Sequence, residues 1–343
     1  MSTSLTDTAR VSTPRRIAAG LLSSREIAIV VVLFAVVAAA TAKQSTFLLS
    51  SNSWRDLLLT PSILILLAVG QAVVIITRNV DLSVGSVLAL TAYLTGRLFV
   101  DNPGIPTVAV FAAGLAAGAV LGLINGLVIG YGKVPALVIT LGTLYIYRGV
   151  VLSWAGSDRI NASDMPSGFL SLGTKAILTV PVLTIIAVVV LVVVAYYLHS
   201  TRGGRELYAI GSDPDAAVLY GLAVRRRVIG AFVLSGALAG LAGVLYTARY
   251  GTVSSSAGSG IELQAVAAAV IGGVAIFGGS GTVWGAAIGA VLLVTINRAL
   301  PIAGIPDFWQ RAVVGALIIG AIVLDRLLAR RRARNLIEAR DES

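Results

Sequence analysis

The sequence contains very little of what most enzymes and metalloproteins need. Its 343 residues include no cysteine and a single histidine, His199. Without cysteine there are no disulfides and no thiolate metal sites, and one histidine does not build a histidine metal cluster. Charged residues make up only 12% of the chain, about half of their share in soluble domains. These absences exclude thiolate and multi-histidine metal sites, and the low share of charged residues is far from that of an ordinary soluble domain.

Apolar residues account for most of the chain instead. They reach 57% of its residues, and the mean hydropathy is +0.92. A membrane-spanning helix needs about 20 apolar residues. We predict an all-α polytopic membrane protein with about ten transmembrane helices, whose shorter stretches leave room for half-helices or re-entrant segments. The apolar stretches lie at about 27–42, 57–77, 85–100, 107–131, 134–154, 176–198, 228–249, 262–277, 282–300 and 309–329.

Polar segments at both ends divide the chain into three parts. Residues 1–25 predict a disordered basic cytoplasmic tail, residues 26–329 a membrane domain, and residues 330–343 a second basic cytoplasmic tail. The first apolar stretch ends in Ala40-Thr41-Ala42, which has the pattern of a signal-peptidase site. We favour a retained signal anchor over a cleaved peptide, because the basic region before it is long and many spans follow.

The distribution of positive charge predicts the orientation in the membrane. The chain has 26 Lys and Arg residues and a net charge of +10. With the N-terminus inside and ten crossings, 17 of the 26 fall in cytoplasmic segments. Because cytoplasmic loops are enriched in Lys and Arg, this bias favours an N-in, C-in topology. The charge therefore indicates orientation and contact with anionic lipid, and no nucleic-acid partner.

Glycines recur every four residues in two regions of the chain. On a helix this spacing places them on one face, where a neighbouring backbone approaches closely. We interpret most of them as packing positions, although a seam along which helices slide has the same pattern. The positions are Gly114, Gly118, Gly122, Gly126 and Gly130 in one stretch, and Gly281, Gly285 and Gly289 in another; the pair Gly236 and Gly240 repeats the spacing once more.

The longest inner loop, residues 199–227, predicts a short capped helix. Asp213 is suited to cap the free N–H groups, and Pro214 follows at a position where a missing N–H costs nothing. Asp215 complements the positive end of the helix, and Gly221 supplies a left-handed stop. A rigid helix of this kind suits a groove on a partner protein or, equally, the surface of the membrane.

Several motifs together resemble one family of transport proteins. Asp215-Ala-Ala-Val-Leu-Tyr-Gly221 resembles the Glu-Ala-Ala-x-x-x-Gly coupling motif in permeases of binding-protein-dependent ABC importers, with Asp in place of Glu. Further segments resemble the ribose-type sugar permeases, and the similarity covers about residues 55–325. Those segments are Val80-Asp-Leu-Ser-Val-Gly-Ser86, Pro135-Ala-Leu-Val-Ile-Thr-Leu-Gly-Thr143, Gly204-Arg205, Ala209-Ile-Gly211 and Gly278-Gly-Ser-Gly-Thr-Val-Trp-Gly285.

Three segments look closest to permeases for rhamnose and for the autoinducer signal. They are Thr77-Arg-Asn-Val-Asp81, Leu141-Gly-Thr-Leu-Tyr-Ile-Tyr-Arg-Gly149 and Ile305-Pro-Asp-Phe-Trp309. Rhamnose, a ribose- or xylose-like pentose and an autoinducer-type sugar are the substrates that the resemblance implies.

The resemblance also implies a type II ABC importer-like transmembrane domain that works in a complex. Two permeases, identical or paralogous, would form the pore, beside two cytoplasmic ATPases and an external sugar-binding protein. This chain has no Gly-x-x-x-x-Gly-Lys-[Ser/Thr] loop, so it would bind no cofactor and ATP–Mg²⁺ would sit on the ATPase. The residues expected to couple to the ATPase are Gly204, Arg205, Asp213, Pro214, Asp215, Ala216, Ala217 and Gly221.

A polar break near the inner face separates the second and third stretches. Asp81 has two interpretations there: it caps the helix that starts near Val84, or, with Asn79, it shapes an inner gate. A similar glycine-containing break at 278–285 is compatible with a duplicated transporter core.

Uncharged polar residues in or near the spans are candidates for the substrate pathway or, more simply, for bonds between helices. They are Gln71, Asn125, Thr140, Thr143 and Tyr145.

Glu262 is the only acid in the eighth stretch and lies at its expected outer end. It is a candidate outer-gate residue or proton site, and the simpler interpretation pairs it with Arg249. Ion-coupled secondary transport or a channel is the main alternative function; such carriers use acids or histidines at mid-depth, and the spans hold almost none. An intramembrane enzyme ranks last, because no catalytic constellation is present.

Overall fold

The computed structural model describes residues 25–132, 134–317, 319, 320 and 323, and these are helical for most of their length. The N-terminal half contains seven helices. They are α1 Arg25–Lys43, α2 Thr46–Leu49, α3 Ser51–Leu59, α4 Pro61–Ile76, α5 Val84–Asp101, α6 Thr107–Gly132 and α7 Ala136–Ala155.

A short connection follows α7 and leads into the second half of the chain. The connection holds a 3₁₀ turn at Ala162–Asp164, α8 at Ser167–Leu172, and a hairpin of β1 (Ala176–Ile177) and β2 (Val180–Pro181), which pair antiparallel. The remaining helices are α9 Val182–Ser200, α10 Arg202–Ser212, α11 Pro214–Leu219, α12 Val224–Tyr250, α13 Ile261–Ile271 and α14 Val283–Ile302, with a 3₁₀ turn at Asp307–Trp309.

Eight helical segments in the described chain are long and apolar enough to cross a membrane, which confirms eight of the ten predicted stretches. The stretch 262–277 forms only α13, whose 11 residues rise about 16 Å and do not cross a core of about 30 Å. A full span there is wrong, and the half-helix alternative is correct. The predicted stretch 309–329 lies partly outside the described residues. Residues 1–24 of the first predicted tail and all of the second, 330–343, also lie outside them.

The helix α4 forms the centre of the bundle. All of its residues from Pro61 to Ile76 are buried, and α9, α12, α13 and α14 pack around it. A helix that is apolar on every side has no polar face to turn outward, so burial by neighbouring helices satisfies its sequence. The first helix, α1, packs along α14, and Thr282 at the start of α14 donates a hydrogen bond to Glu26.

The glycine repeat of α6 packs against glycines of α12. A Cβ on Gly118 would lie 2.2 Å from the carbonyl oxygen of Gly236, and one on Gly240 would lie 2.3 Å from that of Gly114. Gly122 meets the carbonyl oxygen of Phe232 in the same way. The two helices therefore touch backbone to backbone and run antiparallel, as the predicted topology requires. Gly285 similarly packs on Gly272, and Gly281 on Val274.

Candidate functional site: the coupling segment and the break it contacts

The predicted short helix is present as α11, and its capping is as expected. The Asp213 carboxylate accepts hydrogen bonds from the backbone N–H groups of Asp215 (3.1 Å) and Ala216 (3.0 Å), and Pro214 occupies the first turn. At the other end Gly221 has a φ of +74°. The N–H of Gly221 bonds to Val218 and that of Leu222 to Ala217, the pair of bonds that defines a Schellman C-terminus.

This helix turns an apolar side to the surroundings. Val218, Leu219 and Tyr220 are 61%, 87% and 86% exposed, whereas Ala217 is buried. A cavity of about 880 Å³ separates α11 from the turn between α6 and α7. Exposed apolar residues on a short, rigidly capped helix are typical of an interaction surface.

The first half of the loop is also helical, which the sequence analysis missed. Helix α10 buries Gly203, Gly204, Leu207 and Ile210 among others, a spacing of three and four residues that could have revealed it. A Cβ on Gly204 would lie 2.2 Å from the carbonyl oxygen of Tyr197, so Gly204 lets α10 pack on the end of α9. Arg205 stays exposed and donates to the carbonyl of Ser200 at 3.2 Å.

An ion-pair cluster ties α10 to the beginning of α12. The Glu206 carboxylate accepts hydrogen bonds from Arg227 at 2.5 Å and from Arg202 at 2.8 Å. These bonds from Arg227 and Arg202 lower the pKa of Glu206 below its ordinary value. The carboxylate is therefore ionised at neutral pH and links two helices on either side of α11.

The coupling segment contacts both polar breaks. Arg78 Nε donates to the carbonyl of Gly211 at 2.6 Å, and the Gly279 N–H donates to that of Ile76 at 2.9 Å. The Tyr208 hydroxyl donates to the Gly281 carbonyl at 3.0 Å. The two breaks near 78–85 and 278–285 thus lie together, against the segment that leads into α11.

Asp81 lies buried in the first break and has no capping role for α5. Ser83 occupies the N-cap position, so the interpretation of Asp81 as the cap is wrong. One Asp81 oxygen accepts from the Ser83 N–H (3.0 Å) and hydroxyl (2.7 Å), and the other from the Ser235 hydroxyl (3.1 Å). Asn79, the other gate candidate, donates to the carbonyl of Thr77 at the end of α4.

The Asp81 contacts continue into a buried polar network that joins the break to four helices, α4, α6, α7 and α12. Asn125 on α6 donates to the Ser83 hydroxyl at 2.8 Å, and its amide oxygen is 3.2 Å from the Tyr147 hydroxyl on α7. Gln71 on α4 bonds both backbone groups of Asp81. Thr140 on α7 donates to the Val80 carbonyl at 3.1 Å. We call these residues the Asp81 network: Gln71, Asp81, Ser83, Asn125, Thr140, Tyr147 and Ser235.

The pathway candidates separate into two groups in the structure. Gln71, Asn125 and Thr140 are fully buried and hold helices of one chain together. Thr143 is 8% exposed and donates to the carbonyl of Thr140. Tyr145 is 70% exposed and lies on an outward face of α7 where Gly142 and Gly149 have no neighbour within 4 Å. That face is available to a second subunit, to a pathway or to lipid.

Glu262 does not pair with Arg249, which contradicts the simpler expectation. Arg249 instead forms an ion pair with Asp56 at 3.3 Å. Glu262 lies against Gly85, in the first turn of α5, where a Cβ would be 2.2 Å from its Oε2.

Arg148 of α7 interacts electrostatically with Glu262 and donates to the carbonyls of Ser255 (3.0 Å) and Ala257 (2.8 Å). The sequence analysis had no role for Arg148, which fastens the segment before α13.

The described residues contain no group of three or more His, Asp or Glu side chains that could hold a metal ion. Ser83, Tyr147 and Ser235 were missed from sequence, because small hydroxyl residues in apolar helices are common and only the fold brings these three to Asp81.

The architecture is that of a polytopic membrane protein with a capped, exposed helix at one end of its bundle, as expected for a transport subunit. The family model for the "branched-chain amino acid transport system / permease component" matches residues 53–322, and the chain belongs to this family of permeases. It is a multi-pass protein of the bacterial inner membrane, and its relatives are transport permeases, not enzymes.

Curated relatives resemble the chain over most of their length. An autoinducer 2 import system permease protein LsrC from Enterobacter sp. (strain 638) is 36% identical over 315 residues, which covers 92% of this chain and 90% of the relative. The D-allose transport system permease protein AlsC from Escherichia coli (strain K12) is 33% identical over 304 residues, covering 89% and 90%. No solved structure matches the chain.

Proposed function

We propose that this chain is the pore-forming permease of an ATP-driven importer for a small sugar-like solute, and that α11 is its contact with the ATPase. The observation that carries the proposal is the exposure of Val218, Leu219 and Tyr220 on a helix capped at both ends. The two caps stabilise this six-residue helix. A force applied to α11 therefore displaces the neighbouring segments and does not unwind the helix. Membership of the permease family and the import-system relatives support this role.

The cytoplasmic partner would be an ABC ATPase that carries ATP–Mg²⁺, since this chain has no phosphate-binding loop. An external sugar-binding protein would deliver the substrate. The pore would form between two permeases, identical or paralogous. The complete burial of Gln71, Asn125 and Thr140 within one chain favours exposed residues such as Tyr145 as contacts of the pathway.

The substrate class follows from the relatives and from the chemistry of the membrane domain. The named relatives import autoinducer 2 and D-allose, both small polyhydroxylated molecules. Tyr145, the pathway candidate that stays exposed, offers an uncharged hydroxyl, and such a group suits a neutral polyol. Ribose, xylose and rhamnose belong to the same chemical class and complete the set of candidates.

The proposal is tested by reconstituting the permease with its ATPase and binding protein in liposomes. Uptake of radiolabelled D-allose, D-ribose, D-xylose, L-rhamnose and autoinducer 2 is measured with ATP and with a non-hydrolysable analogue. We expect uptake of one of these solutes with ATP only, and no uptake without the ATPase. Equal uptake with and without the ATPase overturns the proposal.

One observation favours the alternative of ion-coupled transport. Asp81 is a fully buried acid in a break between helices, a placement that proton- and sodium-coupled carriers use. Its carboxylate, however, already accepts three hydrogen bonds from neutral donors. A proton or sodium ionophore distinguishes the two functions: it abolishes uptake by an ion-coupled carrier and leaves ATP-driven uptake unchanged.

A further inference from the structure

Arg78 has a backbone conformation that normally selects glycine. It follows the C-cap of α4, where its N–H bonds to the Ile75 carbonyl at 2.9 Å and the next N–H bonds to that of Val74 at 3.3 Å. This is a Schellman C-terminus, and Arg78 has the left-handed φ of +64° that such a position requires. Glycine adopts this conformation without steric cost, whereas a residue with a side chain does not. An arginine here implies a use for its side chain.

The guanidinium of Arg78 spans two successive carbonyls at the end of α10. Nε donates to Gly211 at 2.6 Å, and the second nitrogen donates to Ser212. The last carbonyls of a helix have no partners within it and carry partial negative charge, so a cationic planar fork fits them. The next residue, Asp213, is the N-cap of α11. Arg78 thus holds the joint between α10 and α11.

The backbones at this joint are in direct contact. A Cβ on Gly211 would lie 1.7 Å from the Ile76 carbonyl oxygen and 2.5 Å from the Gly279 nitrogen. A Cβ on Gly278 would lie 2.4 Å from the Arg78 side chain. The three segments therefore meet backbone to backbone at Gly211, and movement of α10 has no soft layer to absorb it there.

The other end of the same short segment enters the bundle core. Three residues after Arg78, Asp81 accepts hydrogen bonds from Ser83 and Ser235. The Ser83 hydroxyl in turn accepts a hydrogen bond from Asn125 on α6. The break is therefore fixed to α11 at one end and to the helices of the membrane domain at the other.

We propose that Arg78 is a positioning residue that carries displacement of α11 to the break at 77–83 and, through the Asp81 network, to the membrane helices. The inference rests on the proposed function, because an ATPase supplies the displacement. Arg78 touches neither substrate nor nucleotide; it acts through the carbonyls of Gly211 and Ser212.

Arg78→Gly separates this role from a local structural one. Glycine fits the left-handed position, so a purely structural residue would be replaced without loss and the thermal midpoint would stay the same or rise. If Arg78 has the positioning role, loss of its two charge-assisted hydrogen bonds would instead make the joint between α10 and α11 more mobile. Arg78→Lys keeps the charge without the planar fork and should give an intermediate result. Arg55→Ala is the matched control, since Arg55 also donates to a carbonyl, that of Thr174, far from the joint.

The first measurement is hydrogen exchange of the purified permease alone in detergent, which needs no partner. We expect exchange at 205–213 to be roughly tenfold faster in Arg78→Gly and unchanged in Arg55→Ala. Equal exchange in Arg78→Gly and the wild type overturns the inference, whatever the function of the chain.

The second measurement uses the permease–ATPase complex with ATP and vanadate as the probe. In the wild type we expect protection to change both at 205–222 and at 77–83. In Arg78→Gly we expect the change at 205–222 alone. A change in both segments of Arg78→Gly overturns the inference, whereas a wild-type permease that binds no ATPase overturns the proposed function and leaves the first measurement standing.

Discussion

The Ser235 hydroxyl donates a hydrogen bond to the Asp81 carboxylate at 3.1 Å, across 154 positions of the chain. With the two bonds from Ser83, this contact supplies both carboxylate oxygens with neutral donors. Because Asp81 is fully buried, its oxygens have no water to replace a lost donor. The Asp81–Ser235 contact therefore joins the break to α12 and fixes their relative position.

Asp81→Asn should destabilise the permease. The substitution places an amide N–H₂ where hydroxyl donors now point, and leaves buried groups without partners. We expect a loss of about 1–3 kcal/mol, seen as a lower apparent thermal midpoint of the purified protein in detergent. Ser235→Ala removes one donor only and should cost about 1 kcal/mol. An Asp81→Asn protein with the same apparent thermal midpoint as the wild type would contradict a stabilising role for the Asp81 network.

Gly118→Val should separate α6 from α12. Its side chain would have to enter the space of the Gly236 carbonyl, 2.2 Å from the position of the Cβ. Overpacking of this kind costs about 1–3 kcal/mol, which a lower thermal midpoint and a reduced yield of folded protein would show. Gly142→Ala is the control, because Gly142 has no neighbour within 4 Å. Ala and Val both have a higher helix propensity than Gly, so an equal loss at both positions would contradict the α6–α12 contact as the cause.

Gly221→Val should uncouple ATP hydrolysis from transport while membrane insertion stays normal. Open space surrounds Gly221, so the cost comes from its φ of +74°, about 1–2 kcal/mol for a residue with a Cβ. This strain alters the end of α11, far from the helices that insert. Transport per ATP hydrolysed in liposomes measures the effect. Gly221→Asn, which tolerates the left-handed conformation, should retain more coupling, and an equal loss in both variants would refute the backbone explanation.

The stability of the coupling segment should depend on pH through Glu206. Bonds from Arg227 and Arg202 place its folded-state pKa below the ordinary value of 4.5. The stabilisation is therefore present above pH 4.5 and is lost as the pH falls through the folded-state pKa. We expect the thermal midpoint of the wild type to exceed that of Glu206→Gln at pH 7, and the difference to shrink as the pH falls below 4.5. A constant difference across this range would contradict the assignment.

Much of the fold followed from apolar length and charge. Eight spans and the capped helix were predicted from local signals, because a stretch of about 20 apolar residues and an Asp-Pro start have few structural solutions. The glycine repeat of α6 likewise predicted its packing face. What local signals did not contain was the partner of that face, Gly236 and Gly240, or the length of α13.

The Asp81 network shows why the rest was beyond the sequence. Asn125 and Gln71 were identified as polar residues in apolar spans, but most such residues bond to neighbouring helices and do not line a pathway. Only the fold brings Ser83, Tyr147 and Ser235 to them, and decides that the group is buried. The role of Arg78 could not be predicted either, because the sequence does not show that the backbone of this arginine is left-handed.

The most direct test of the central claim is co-purification of the ATPase with wild-type permease and with Leu219→Asp. Leu219 is 87% exposed, so the substitution changes the surface of α11 and not the fold. We predict that a subunit with a phosphate-binding loop, identified by mass spectrometry, purifies in stoichiometric amount with the wild type and is reduced roughly tenfold or more with Leu219→Asp. Equal recovery of the ATPase with both proteins would contradict the account.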